Sequence, residues 1–304
     1  MKRIFLNSAG ENWIVDRLKD EWMSHNKNHS TNDLRNSDIL WIIAPWNLSR
    51  IPKRYLKSKL VVCTIHHIDL EKFKKKELRD FYYLDKFVNF YHTISDKNIE
   101  ILKNYTEKKI TSIPFWIDSE KFFHIKDKEQ LLNKFSLNNK EYLIGSFQRD
   151  TEKKGNLNPK LSKGPDQFIK IVKKISENKN VRIILTGKRR EYLIHELEKL
   201  NIKYTYFQMI NTEKLNHLYN ILDLYIVASR VEGGPAAILE CGASKTPIIS
   251  TDVGIASKIL PPESIFNMNN FENAIPNIQK AYKNTLPYFI PHGFDKFLEY
   301  FESL

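Results

Sequence analysis

The chain has 304 residues, with 48 lysines and arginines against 36 aspartates and glutamates, a formal net charge of +12. With 41% hydrophobic and 28% charged residues it is neither fibrous nor disordered, and its length suggests two domains. No apolar run approaches the ~20 residues of a membrane span, and its two cysteines, Cys63 and Cys241, make no disulfide framework.

Residues 1–13 (MKRIFLNSAGENW) hold a short apolar run without a cleavable leader pattern, so 2–6 reads as a first strand. A turn at 8–10 follows, then a helix with Trp13, Ile14 and Leu18 on one face. Segments 39–43, 60–65, 90–94 and 110–113 read as further strands, the second of them rich in β-branched residues. A helix is expected over about 74–86. Strands alternating with helices predict a parallel, doubly wound sheet, and in such sheets ligands bind beyond the strand carboxyl ends. That rule puts 8–10, 66–69 and 95–96 on the ligand side. Gly10 is a single glycine, not a phosphate-binding fingerprint. His66 and His67, beside Asp69, lack an evident third metal ligand, and a histidine at a strand end commonly serves as a hydrogen-bonded structural residue.

The densest basic run is Lys72, Lys74, Lys75 and Lys76, with Arg50, Lys53, Arg54, Lys57 and Lys59 upstream. It reads as a solvated helix face or as a contact for an anionic membrane surface. A nucleic-acid role would need aromatic residues stacked among the lysines. Only Phe73 interrupts the run and no binding motif is present, so nucleic acid is not an expected partner.

Residues 121–140 are charged and asparagine-rich and read as linker and helix. The expected domains are 1–125, 126–285 and a final segment 286–304, aromatic and amphipathic. Within the second domain, strands are expected at 142–147, 181–186, 202–207, 222–228 and 246–251. Helices are expected at 164–177, 191–200 and 212–221.

Residues 232–240 (EGGPAAILE) lie between the last two of those strands. Gly233 and Gly234 let the backbone turn tightly and approach a ligand. Pro235 suits the first position of a helix, whose free N–H groups and positive dipole end at Ala236 favour a phosphate. Glu232 stands before that helix, and Glu240 lies ~7–8 Å along it from Pro235 at ~1.5 Å per residue. Two carboxylates flanking an anion site suit a phosphate or diphosphate with a hydroxyl-rich group at each end.

Residues 228–254 (ASRVEGGPAAILECGASKTPIISTDVG) resemble the donor-site signature of retaining two-domain glycosyltransferases, the GT-B fold, type GT4. The resemblance implies two Rossmann-like doubly wound domains facing a cleft, the N-terminal one reduced here, with the final helix returning to that first domain. It implies that Glu232 holds hydroxyls of the transferred sugar and Glu240 the ribose of the nucleotide. His66, or else His67, would point at the sugar, and the Gly10 turn would approach the donor phosphates. Thr186 and Gly187 would line the nucleotide, whose base would lie near 208–210.

Transfer from a nucleotide diphosphate builds negative charge on the leaving oxygen, and a fixed cation stabilises that charge most in the transition state. Arg149 and Lys163 match the family's arginine and lysine. The insertion 151–162 makes Lys153 and Lys154 rivals. There is no Asp-x-Asp motif; the nearest forms are Asp118-Ser-Glu120 and Asp150-Thr-Glu152. No metal is therefore expected, because arginine and lysine can supply the charge.

The function expected is transfer of a sugar from a UDP- or GDP-linked donor, without a cofactor, to a glycan, lipid-linked or small-molecule acceptor. The enzyme would be cytoplasmic, or peripheral at the inner face of a membrane. The alternative is a sugar-nucleotide epimerase or phosphorylase of the same plan. An epimerase needs an acid and base carboxylate pair on the first domain, and none is clear. A phosphorylase needs a pyridoxal lysine, which cannot be located.

Overall fold

The computed structural model describes residues 2–11 and 13–304, which form two compact units. The first takes the chain up to Trp116 together with Ile290–Leu304; the second is Ile117–Phe289.

The first unit is a five-stranded parallel sheet of β1 (Ile4–Leu6), β2 (Ile39–Ile42), β3 (Leu60–Ile65), β4 (Phe90–Thr93) and β5 (Ile110–Ser112), paired in chain order. β2 is buried at every position. Parallel strands are covered on both faces, so continuous apolar runs of this kind are what they require. One face packs Ile51, Leu56, Phe81 and Leu84 from the connecting helices onto Leu40, Val61 and Cys63. In the same unit Trp22 and Trp41 meet edge-on at 5.3 Å, and the C-terminal helix Asp295–Ser303 brings Phe297 to 5.3 Å and Phe301 to 5.0 Å from Trp41. Its aromatic stripe is therefore a core face, and each such ring pair adds about 0.5–1.5 kcal/mol beyond its buried area.

The second unit holds β6 (Tyr142–Ser146), β7 (Val181–Thr186), β8 (Lys203–Phe207), β9 (Leu224–Val227), β10 (Ile248–Thr251) and β11 (Ile265–Phe266). They pair in the order β11-β10-β9-β6-β7-β8, all parallel. The chain builds outward from β6 to β8, then crosses back and builds the other way from β9. Helices Pro165–Ser176 and Glu191–Lys199 press Phe168, Ile171, Val172, Leu193 and Leu197 onto Ile144, Ile183, Leu185 and Ile226. Fully burying one such side chain contributes about 1.5–3 kcal/mol.

Several elements lie beyond the sequence reading: the charged helix Lys53–Ser58, the helices Asp96–Leu102 and Ile278–Thr285, and the two-residue β11. Each is too short to show a period of its own.

Candidate active site

The reversal of strand order in the second sheet fixes where a ligand can enter. β6 and β9 are neighbours, with Ile144 opposite Leu224 and Gly145 opposite Tyr225, yet the connections after them depart to opposite sides. A crevice opens beyond the carboxyl ends of two such strands. Residues 147–150 leave β6 there and residues 228–235 leave β9.

The two segments are locked by backbone geometry. Arg230 and Val231 both donate their N–H to the Ser162 carbonyl, at 2.8 and 3.0 Å. The Arg230 guanidinium grips Asp166 with two hydrogen bonds of 2.7 and 2.6 Å. Between them Gly164 takes a left-handed φ of +60°, and a Cβ there would stand 1.7 Å from the Ala228 carbonyl oxygen. Only glycine fits, and Pro165 then opens the next helix. A second glycine, Gly254, closes the glycine turn from below: its own Cβ would lie 2.3 Å from the Gly233 carbonyl oxygen.

This clamp brings Lys163 against Glu232. The Lys163 ammonium forms an ion pair with Glu232 Oε1, and the Ser229 hydroxyl donates to the same oxygen at 3.2 Å. The two side chains are 18% and 9% exposed. Gln148 Nε2 holds the Lys163 carbonyl at 3.0 Å, tying the end of β6 to the pair. The helix expected to begin at Pro235 runs over Ala236–Ser244, with Pro235 as the residue before it at ψ 117°. Glu240 is buried in that helix, and the Tyr219 hydroxyl donates to its Oε2 at 2.6 Å. Burial and the adjacent Glu240 charge push the Tyr219 phenol well above its ordinary pKa, so it stays a donor.

Arg149 is half-buried at the exit of β6. Its charge, with those of Lys163 and Glu232, acts on the ammonium of Lys160. Four charged side chains, Arg149, Lys160, Lys163 and Glu232, thus gather at the switch point. Lys160 was missed in the sequence, which pointed to Lys153 and Lys154 as rivals; both of those are exposed. Only the position of Lys160 three residues before Lys163, at the end of the insertion, could have signalled it. On the neighbouring strand end, Thr186 is buried and Gly187 has φ +93°. The Gly187 N–H donates to the Gln208 carbonyl at 2.8 Å, and its own carbonyl accepts from the Tyr206 hydroxyl at 2.8 Å.

The remaining predicted residues belong to the first unit. The Gly10 N–H donates to Asp16 Oδ1 at 2.9 Å and the Glu11 N–H to Asp16 Oδ2 at 2.7 Å, so a carboxylate of the chain itself sits in that turn. His66, at the end of β3, donates Nε2–H to the Ile43 carbonyl at 2.7 Å, and its carbonyl accepts from Asn98 at 3.0 Å. His67 is half-buried beside it. Among the described residues no cluster of three His, Cys, Asp or Glu side chains could hold a metal ion. The acidic pairs nearest in form to Asp-x-Asp are engaged elsewhere: Asp118 with Lys121 at 2.8 Å, Asp150 with Arg190 at 3.3 Å. In a hollow at the amino ends of β6 and β9, Lys128 pairs with Asp223 at 2.6 Å and Glu141 with Arg182 at 2.6 Å.

Residues 127–285 match the family described as glycosyl transferases group 1. The O-antigen chain mannosyltransferase RfbU of Salmonella typhimurium is 23% identical over 265 residues, 80% of this chain and 71% of that protein. Among solved structures, Anabaena HepE in complex with UDP-glucose superposes with a TM-score of 0.78 at 14% identity, over 100% of both chains. Sucrose-phosphate synthase from Thermosynechococcus elongatus superposes at 0.70 with 13% identity, over 95% of this chain and 76% of its own. At such identities the structural likenesses speak to the fold alone, two parallel-sheet units of the GT-B type. The family match spans more than half of the sequence and includes the whole switch-point site: the chain belongs to the glycosyl transferases group 1 family and is a glycosyltransferase.

Proposed function

We propose that this glycosyltransferase moves a sugar, with retention of anomeric configuration and without a metal ion, from a UDP- or GDP-linked donor to a glycan, lipid-linked or small-molecule acceptor. The observation that carries the reading is the Lys163–Glu232 ion pair, clamped at the turn that leads into the Ala236–Ser244 helix. UDP-glucose bound to HepE and the mannosyltransferase activity in the name of RfbU support a nucleotide-sugar donor. In this reading Arg149, Lys163 and the helix start at Pro235–Ala236 hold the diphosphate. Glu232, Gly233 and Gly234 orient the sugar. Glu240, braced by Tyr219, takes the ribose, and Thr186 and Gly187 line the nucleotide. Lys154 is exposed and is a lesser candidate for the diphosphate; His66 and His67 are the candidates on the first unit for the transferred sugar. Gly10 is the candidate there for the donor phosphates, which would have to displace the Asp16 carboxylate from its N–H.

The anomeric C–O bond to the β-phosphate breaks, and its electron pair goes to the leaving diphosphate. An acceptor hydroxyl forms the new C–O bond on the same face and gives its proton to the departing phosphate oxygen. The protein's part is to stabilise charge as it grows on that oxygen, which raises rate rather than ground-state affinity.

The basic helices of the first unit support a peripheral contact with an anionic membrane at a cytoplasmic face. Among the described residues no helix is long and apolar enough to cross a membrane.

The test is nucleoside-diphosphate release across UDP- and GDP-sugars, with the wild type and Glu232→Gln. The wild type should release UDP or GDP from a preferred donor, and the variant should lose most of that rate. Wild-type rates in the variant would remove Glu232 from the role given to it.

A further inference from the structure

The insertion after Asp150 is a closed hairpin. Thr151 bridges Pro159 in antiparallel fashion, the Glu152 N–H donates to the Asn158 carbonyl at 3.1 Å, and the Lys160 N–H donates to the Asp150 carbonyl at 2.8 Å. It is also fastened from outside. The Glu191 carboxylate accepts from the Thr151 hydroxyl at 3.0 Å and from the Gly155 N–H at 3.2 Å, and Arg189 donates to the Glu152 carbonyl at 3.1 Å. At its root the Asp150–Arg190 ion pair is almost wholly buried. The tip residues Lys153 and Lys154 are exposed, while the returning arm ends on Lys160, across from Asp150 and next to Arg149.

The position of Lys160 is costly for a lysine. The charges acting on it are Lys163 and Arg149, which repel it, and Glu152 and Glu232, which attract it. Burial first, then the Lys163 charge, hold its pKa below the ordinary lysine value. Among the described residues its ammonium makes no hydrogen bond and no ion pair within reach. Lys160 is half-buried, and the fastened hairpin fixes where its side chain leaves the backbone.

We infer that the hairpin delivers Lys160 as a third cation for the diphosphate of the donor, beside Arg149 and Lys163, an assignment that rests on the donor-site reading above. The Lys163 N–H donates to the Lys160 carbonyl at 2.8 Å, so the two lysines leave one short turn. An incoming diphosphate turns the repulsion of Lys160 by Lys163 and Arg149 into shared attraction.

Calorimetric titration with UDP and with GDP tests this on the full chain, comparing wild type, Lys160→Met and Lys160→Arg. Lys160→Met keeps the stem and removes the charge. It should weaken binding of the preferred diphosphate by about tenfold or more, the scale of one charge-assisted hydrogen bond. Lys160→Arg should restore most of that affinity. Lys160→Gln serves in the same comparison if the methionine variant does not fold. Undiminished binding by the neutral variants, or a loss that arginine does not rescue, overturns the role of Lys160 while leaving the donor site standing. If the wild type binds neither diphosphate and releases none from any nucleotide sugar, the donor-site reading falls and this inference falls with it.

Discussion

Lys163 and Glu232 neutralise one another across a hydrogen-bonded contact, so the cation that a phosphate would use is already engaged by the carboxylate proposed for the sugar. In the proposed site, donor binding would exchange one partner for another rather than open a bare charge. Replacing Lys163 by Ala removes charge stabilisation from the leaving oxygen and should lower nucleoside-diphosphate release on the order of 100-fold. Because the two side chains touch, their effects cannot be independent. The double variant Lys163→Ala/Glu232→Gln should therefore lose less than the product of the single losses in a release assay; strict multiplicativity would mean the contact has no part in turnover. Gly164 makes a sharper stability prediction. Gly164→Ala places a methyl 1.7 Å from a backbone oxygen at positive φ, and no side-chain movement relieves it. Urea unfolding should show a loss above about 2 kcal/mol.

At the scale of the element, the turn and helix at 232–244 were legible because glycines, a proline and two flanking apolar runs all state the same local structure. The strand pairing behind the switch point was not legible in the residues themselves; only the family resemblance brought its side chains together. Which of β6 and β9 become neighbours is decided by long-range sheet pairing, and that pairing is what gathers Arg149, Lys163 and Glu232 from segments far apart in sequence. The hairpin 151–160 failed to show for a related reason: its charged, asparagine-rich residues carry no strand period, and Glu191, from another element, fastens it. His92 on β4 is a further case. It reads as a polar break in a strand, yet it closes a buried relay: Trp41 Nε1–H donates to the Thr64 hydroxyl at 2.8 Å, which donates to His92 Nδ1 at 2.9 Å, and His92 Nε2–H donates to the Ile113 carbonyl at 2.8 Å. Burial lowers its pKa from 6.5 to about 3. The unfolded chain therefore binds the proton more tightly, and stability present above pH 6.5 drains away as pH falls toward 3, by up to about 1.4 kcal/mol per unit. Thermal melts of wild type and His92→Gln should differ in slope across that window, the variant being the flatter; parallel slopes would deny His92 this share of the acid sensitivity.

For the molecule as a whole, part of the positive charge is concentrated on one surface of the first unit. On the first unit the helices Lys53–Ser58 and Lys75–Asp85 pack onto one apolar core through Leu56, Phe81 and Leu84. Lys53 reaches 5.6 Å from the Tyr83 ring, so the two helices present a joined surface. Lys53, Arg54, Lys57, Lys72, Lys74, Lys75, Lys76 and Arg79 are exposed on these segments, and Tyr82 and Tyr83 stand among them at 46% and 43% exposure. Lys59 is not part of this surface, because its ammonium is spent on the Arg35 and Ser37 carbonyls at 2.9 and 2.5 Å. Lysines around amphipathic aromatic rings suit an anionic lipid headgroup layer, each basic residue near the surface adding about 1 kcal/mol. Sedimentation with phosphatidylserine-containing vesicles should carry the protein down at low salt, with less bound as ionic strength shortens the screening length. Charge reversal at Lys53, Lys75 and Lys76 should abolish most of that binding while sparing nucleoside-diphosphate release from a soluble donor, because none of the three is among the residues proposed to contact it. Equal sedimentation with neutral vesicles, or with the reversed variant, would remove the membrane from the proposed setting and leave the basic face as a solvated one.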